Sequence, residues 1–406
     1  MRRKIITVID SLMGTGKTSY AIQMMKEAPE IEKFIFITPF LAEVDRIREE
    51  LPNRHFKTPS VKNKKGSKLE GLKQLLTNGD NIVSTHALFK RCDDEVRNLL
   101  KSNGYILILD ECMDVVEQFD IVEEDIQILF KSQTILEDNK RWIRWVGTNK
   151  EYTGAFKDLM ESCFNNNIYH YGERLYLWTF PVDIFDSFNK VYILTYMFDG
   201  QLQKYYFDIF NIKYEYKSVI KVEDKYKLTE YKKVLDMKAI ENLLNIYEGK
   251  LNEIGNAEYT FSANNLKNLK KKPALIKLLK NNISNYFKHI TNSKSSEIMW
   301  TTFKDMKSLL KGKGYTKGFV PCNSRATNEF KDRTTMAYIA NRFTNPCVKQ
   351  FFKANGVEIN EDAIALSELV QWIFRSAIRE GKEVNLYIPS RRMRTLLQNW
   401  LKGVSI

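Results

Sequence analysis

Within its first eighteen residues the chain sets an apolar run, Ile5-Ile6-Thr7-Val8-Ile9, against a glycine-bearing turn that ends in Gly14-Thr15-Gly16-Lys17-Thr18. The residues after that turn, Lys17 to Lys26, have the spacing of an amphipathic helix. A strand that passes through two glycines into a helix leaves several backbone N–H groups converging on one point at a helix N-terminus, which suits an anion. The same order demands a crossover connection, and hence a parallel sheet with helices packed on it. Met13, Gly14, Thr15, Gly16, Lys17 and Thr18 are therefore the candidate cradle for the phosphates of ATP. The Lys17 ammonium would reach the β- and γ-phosphates, and the Thr18 hydroxyl would hold Mg²⁺.

The next two hundred residues keep the alternation that this start requires. Strands are expected at Ile5 to Ile9, Phe34 to Thr38, Asn81 to Ser84, Tyr105 to Leu109 and Val191 to Thr195, with helices between them, notably at Leu41 to Leu51. The fourth strand runs into Asp110-Glu111, two carboxylates at a strand end. Asp110 would bind the metal ion, and Glu111 would polarise an attacking water. A longer segment from Gln118 to Lys190, with Trp142, Trp145 and an alternating stretch from Leu175 to Phe180, reads as an insertion.

Around Asn211 to Lys232 the chain turns charged and Tyr-rich, and a second domain is expected to begin there, giving domains of residues 1–212 and 213–406. Its expected elements are a helix-like stretch from Met237 to Ile254, strands at Ile298 to Phe303, Gly318 to Pro321, Thr335 to Ile339 and Glu383 to Ile388, and a helix over 366–379. In that last helix Gln371, Arg375 and Arg379 would share one face at i, i+4 and i+8. The fold class is α/β in both halves.

Charge points toward a polyanion. Lys and Arg exceed Asp and Glu by 63 to 50, a net charge of +13. No Arg occurs from Leu175 to Ser324, and then eight fall between Arg325 and Arg394. A planar guanidinium fork suits phosphate geometry, so such a cluster suggests a site. Two Lys-rich stretches, Lys62 to Lys68 and Lys267 with Lys270 to Lys272, could contact phosphates or be solvated loops. Trp300 and Trp372 could stack on bases, though core packing is favoured. The five Cys show no CxxC spacing, so no zinc site or disulfide framework is expected. No stretch approaches a membrane span, and a cytoplasmic location is expected.

Taken together these residues resemble superfamily 2 helicases of the DEAD/DEAH-like kind. Gly14 to Thr18 are similar to motif I, Asp110-Glu111 to motif II (the DExx box), and Gln371 to Arg379 to motif VI. Thr38-Pro39 look like motif Ia, Ser84-Thr85-His86 like the next nucleic-acid-contacting motif, and Leu194-Thr195-Tyr196 like motif III. The second-half signature Pro321 to Asn328, which includes Arg325, looks like that of small helicase-like proteins in bacteriophage DNA-replication modules.

The resemblance implies two tandem RecA-like domains, with the insertion lying between the DExx box and motif III. It also implies ATP and Mg²⁺ as cofactors, a single-stranded or forked DNA partner with possible replication proteins beside it, and no membrane. Thr38, Pro39, Ser84, Thr85, His86 and Arg325 would contact nucleic acid, and Thr195 would couple hydrolysis to strand movement. Lys17, Glu111, Gln371, Arg375 and Arg379 would form the catalytic set. The sequence departs from the family in three places. Ile378 stands where motif VI carries its second Arg, which leaves Arg375 and Arg379 both open as the arginine finger. Tyr196 replaces a small residue in motif III, and the four residues before the first strand hold no Gln motif for adenine.

The function so expected is an ATP-dependent DNA helicase or translocase in phage DNA replication or recombination. Two alternatives stay open on the residues alone: a DNA-binding protein for origin recognition or loading that uses ATP as a switch, and a P-loop small-molecule kinase.

Overall fold

The structure, a computed structural model, describes residues 5–61, 66–147, 152–165, 167–172, 175–231, 237–322 and 329–404. It divides into two compact units, one of Met1–Ser11, Thr15–Glu230 and Asn345–Ile359, the other of Leu12–Gly14, Tyr231–Thr344 and Asn360–Ile406.

The first unit is built on β1 (Ile6–Asp10), β2 (Phe34–Thr38), β3 (Ile82–Thr85) and β4 (Ile106–Asp110). Every residue of β2 and β4 is buried, the pattern of parallel strands covered by helices on both faces. Beyond β4 come five short strands: β5 (Val116–Gln118), β6 (Ile135–Glu137), β7 (Ile143–Trp145), β8 (Ile168–Tyr171) and β9 (Leu175–Thr179). These form an antiparallel sheet in the order β5-β9-β8 and a separate β6-β7 hairpin. They pack with two helices around a small core of their own that includes Ile126, Ile135, Ile143 and Ile168. The insertion expected from the sequence is thus a folded module.

The main sheet resumes with β10 (Lys190–Thr195), β11 (Tyr214–Val222) and β12 (Lys225–Glu230). Its order is β12-β11-β1-β10-β4-β2-β3, parallel throughout except for the antiparallel β11–β12 edge. The region around Asn211 to Lys232 is therefore no crossing between domains. Its polar and Tyr residues suit an edge hairpin that is half exposed, and β11 pairs with β1 from Ile6↔Tyr214 to Ile9↔Lys217. The expected cut at 212–213 would separate these two strands from their sheet. The chain also returns to this unit later. The helix Pro346–Ala354 sets Phe351 against Tyr169 and Phe352 against Tyr205, with ring centroids 5.6 and 6.2 Å apart.

The second unit holds β13 (Leu244–Ile246), β14 (Ile298–Thr301), β15 (Thr335–Tyr338) and β16 (Val384–Tyr387) in an all-parallel sheet of order β13-β16-β15-β14. Its core is aromatic, with Trp300, Tyr286, Tyr315 and Tyr387 buried together. Trp300 and Trp372 are both fully buried, and the Trp372 indole N–H donates to the Val320 carbonyl at 3.2 Å, so both are core residues. Three expected elements differ. The stretch Met237 to Ile254 is a short helix (Met237–Glu241), then β13, then a 3₁₀ turn (Lys250–Gly255), because Leu244 to Ile246 pair in register with Val384 to Leu386. Gly318 to Pro321 makes a single bridge, Trp300↔Phe319, after a 3₁₀ turn. The third is the arginine helix, treated below.

Candidate functional site

At the C-terminal end of β1 the backbone enters the loop with Gly14 at φ 84° and Gly16 at φ 97°, values that only glycine adopts without strain. The helix Lys17–Glu27 opens immediately after. Ser11, which stands where the general phosphate-loop pattern has Gly, has a structural use here. Its N–H donates to the Thr195 carbonyl at 3.1 Å, and its hydroxyl accepts from the Val219 N–H at 3.0 Å. The start of the loop is thereby tied to β10 on one side and β11 on the other. Lys17 is 8% exposed, and its ammonium donates to the Ser11 carbonyl at 2.5 Å, so the chain curls back over the glycine turn.

Asp110 ends β4, with β10 lying between it and β1. The Thr18 hydroxyl donates to its Oδ1 at 3.4 Å and the Thr38 hydroxyl to its Oδ2 at 3.3 Å. His86 Nε2 lies 3.0 Å from the Asp110 carbonyl oxygen. Burial raises the Asp110 carboxyl to about 7, with the Glu111 and Glu43 carboxylates adding to the rise and Lys17 and Thr38 opposing it. A buried carboxyl held in this way is poised to exchange its proton for a cation. Glu111 follows at φ 66°, a left-handed turn uncommon for a non-glycine residue, and its N–H donates to the Leu194 carbonyl at 2.9 Å. The two oxygens of Thr18 and Asp110 at one strand-end crevice fit a Mg²⁺ site of the phosphate-loop type, in which the protein supplies few ligands. No group of three or more His, Cys, Asp or Glu that could hold a metal occurs among the described residues.

The remaining residues singled out in the sequence fall into three groups. Thr38, Ser84 and His86 are buried; Thr38 binds the Asp110 carboxylate and His86 meets the Asp110 backbone carbonyl. Pro39 and Thr85 are half-buried at the ends of β2 and β3, which pair at Thr38↔Thr85. Thr195 is fully buried, and its hydroxyl accepts from Cys112 Sγ at 3.4 Å, linking β10 to the turn after Glu111. Arg325 and Lys62 to Lys65 lie outside the described residues.

Gln371, Arg375 and Arg379 do not share a helix face. Asn360 caps a helix of Glu361–Ile373, and Ser376 then ends it, its hydroxyl donating to the Ile373 carbonyl at 2.7 Å and capping a 3₁₀ turn, Ala377–Glu380. Gln371 lies in the last turn of the helix, where its amide donates to the Ser367 hydroxyl at 3.4 Å. Arg375 is 6% exposed, between the helix and the 3₁₀ turn, while Arg379 in that turn is exposed. Most other Arg of the cluster hold the second unit together. Arg342 forms a fork with Glu368; Arg392 binds Asp362 and the Arg342 carbonyl; Arg394 donates to the Ile388 carbonyl at 2.8 Å.

Two residues of the site had no signal in a motif. Asp10 accepts the N–H groups of Met197 and Phe198, each at 2.9 Å, and so fixes the turn after β10. Burial raises its carboxyl to about 6, against the pull of those N–H groups. Glu43 contributes charge at Asp110 from the helix Leu41–Glu50.

A glycine turn opening a helix, with a buried strand-end carboxylate against its threonine, on a parallel sheet, is an α/β arrangement consistent with a P-loop domain. Residues 2–139 match the family described as type III restriction enzyme, res subunit, a homology to superfamily 2 helicase-like domains. The chain belongs to the YonV family. It is 45% identical over 409 residues to the SPbeta prophage-derived protein YonV of Bacillus subtilis (strain 168), covering 98% of this chain and 99% of that one. Residues 116–178 match the YonV middle domain, which is the inserted module, and residues 238–401 match the YonV C-terminal Rossmann-like domain. Among solved structures, S. tokodaii Xpd4 aligns over 99% of this chain and 94% of its own at 11% identity and TM-score 0.48. The DUF1998 helicase MrfA bound to DNA and AMPPNP aligns over 99% of this chain and 49% of its own at 10% identity and TM-score 0.36. Among the described residues no helix is long and apolar enough to cross a membrane.

Proposed function

We propose that this chain is an ATP-dependent superfamily 2 helicase or translocase that acts on DNA, built from two RecA-like domains and serving phage replication or recombination. The observation that carries the reading is the approach of the Thr18 hydroxyl to the Asp110 carboxylate, 3.4 Å apart at the ends of a glycine loop and a buried strand. Homology of residues 2–139 to helicase-like domains and the prophage origin of the YonV relative support it.

In this reading the N–H groups from Met13 to Thr18 and the Lys17 ammonium bind the phosphates. Thr18 and Asp110 hold Mg²⁺, which when bound neutralises charge on the terminal phosphate. Thr38 and His86 keep Asp110 aimed, and Glu111 orients the attacking water and accepts its proton. Gln371, with Arg379 or Arg375, completes the charge stabilisation. Pro39, Thr85 and Arg325 contact the nucleic-acid strand, and Thr195, joined to Cys112, couples hydrolysis to it. Strand displacement from forked DNA, with Mg-ATP and with Glu111→Gln as a blank, tests the motor. Separation that needs Glu111 supports it. ATP-dependent DNA binding without separation, on forks of either polarity, replaces it with an ATP-switched binding protein.

A further inference from the structure

The strand order gives the phosphate loop two distinct flanks. β10 and then β4, with Asp110, lie on one side of β1; β11 and β12 lie on the other. With the terminal phosphate of a nucleoside triphosphate facing Thr18 and Asp110 on the β10–β4 flank, the β11–β12 hairpin is the structure on the opposite flank, where the nucleoside would lie.

On that flank the ring of Tyr226, in β12, lies directly against Gly16. A Cβ placed at Gly16 would stand 2.1 Å from a ring carbon, so the loop and the ring are in full contact. Two links hold the ring's backbone to the helix that the loop opens. Gln23 Oε1 accepts the Tyr226 N–H at 2.8 Å, and Gln23 Nε2 donates to the Tyr226 carbonyl at 3.3 Å. One residue earlier, Lys225 pairs with Glu27 of the same helix at 3.2 Å. The ring is half-buried, and the exposed Lys221 ammonium stands 6.0 Å from its centroid, at the outer limit of a cation–π contact. The ring also packs against the core of the first unit, so only its remaining exposed part is open to a ligand. A fixed, partly open aromatic face beside a phosphate loop is what a nucleobase or ribose stacks on.

We propose that Tyr226 is the platform for the nucleoside of the bound triphosphate, held in place by Gln23; the assignment rests on the phosphate-loop reading above. A ring face contacts any base, so the platform supplies affinity without selecting the base.

The test is calorimetric titration of the full chain with Mg-ATP and, separately, with Mg-tripolyphosphate, which has the phosphates and no nucleoside. Tyr226→Ala should weaken Mg-ATP roughly tenfold, the equivalent of one stacking contact, and leave tripolyphosphate unchanged. Tyr226→Leu, which keeps apolar bulk against Gly16, should give the same split if the alanine variant fails to fold, and Tyr226→Phe should bind both ligands as the wild type does. Unchanged Mg-ATP affinity in Tyr226→Leu, or an equal loss for both ligands, overturns the platform. Lys17→Ala should weaken both ligands; if it weakens neither, the phosphate-loop reading fails, while the Tyr226 comparison is still decided by its own two ligands.

Discussion

The loop after β1 and the segment around Arg375 both bring cationic side chains to the ends of parallel strands, but they use them differently. In the first unit Lys17 and Thr18 open one helix and Asp110 ends β4; the Lys17 ammonium binds the Ser11 carbonyl and the Thr18 hydroxyl reaches Asp110. In the second unit the guanidinium groups of Arg342, Arg392 and Arg394 bind carboxylates and carbonyls of their own unit, and Arg375 is buried. The Arg side chains are thus braces of their own unit, whereas Lys17 is proposed to bind a ligand. What separates the two roles is place and not burial: Lys17 also binds a backbone carbonyl, that of Ser11, but it does so at a helix N-terminus beside the glycine turn.

The largest effect that would sharpen this contrast is on turnover. Lys17→Ala should lower ATP hydrolysis by about 10³-fold or more; because Lys17 is buried and binds the Ser11 carbonyl, the melting temperature should fall as well, and the rate is read on the folded variant. Retained turnover would move Lys17 into the class of braces.

The two open arginines should then separate by assay. Arg375→Ala removes a buried charged group from among core residues and should cost about 3 kcal/mol of stability, read as a lower melting temperature. Arg379→Ala, at an exposed position, should leave melting within about 0.5 kcal/mol of the wild type yet lower turnover by about 10²-fold or more. An unchanged rate with Arg379→Ala, together with a reduced rate in folded Arg375→Ala, would reverse that assignment.

A smaller effect concerns pH. In the folded protein the Asp110 carboxyl sits near 7, against 3.8 for the free side chain. Between those values the folded chain keeps a proton that the unfolded chain has released. Asp110 therefore favours folding at low pH, and that contribution, a few kcal/mol in order of magnitude, is lost as pH rises toward 7 and is constant above it. Melting scans from pH 4.5 to 8 should show the slope in the wild type and a flatter one in Asp110→Asn. For the same reason Mg-nucleotide affinity should rise between pH 6 and 8.

How much of this was legible in the sequence depended on how local the determinant was. The five parallel strands expected in the first half are present within about a residue, because continuous apolar runs bounded by turns specify buried strands; β1 ends at Asp10 instead of Ile9 because its pairing with Thr195 carries one residue further. The glycine turn after β1 and the carboxylate that ends β4 were readable for a similar reason, since each is a short run at a strand end. The β11–β12 hairpin was misread because its Tyr and Lys residues suit a half-exposed edge, a pattern shared with linkers. The arginine helix failed at Ser376, whose hydroxyl competes for the helix end, something that i, i+4 spacing does not reveal. The roles of Thr38 and His86 lay beyond a local reading, because both are defined by Asp110, 72 and 24 residues away along the chain.

The central claim is that the Thr18–Asp110 crevice hydrolyses ATP in response to nucleic acid. Its most direct test is the steady-state rate of ATP hydrolysis by the purified chain alone and with single-stranded DNA, forked DNA, duplex DNA or RNA, with Glu111→Gln as the blank. The account predicts a rise of tenfold or more with single-stranded or forked DNA, absent in the variant. A rate equal under all five conditions, or one that survives Glu111→Gln, would contradict it.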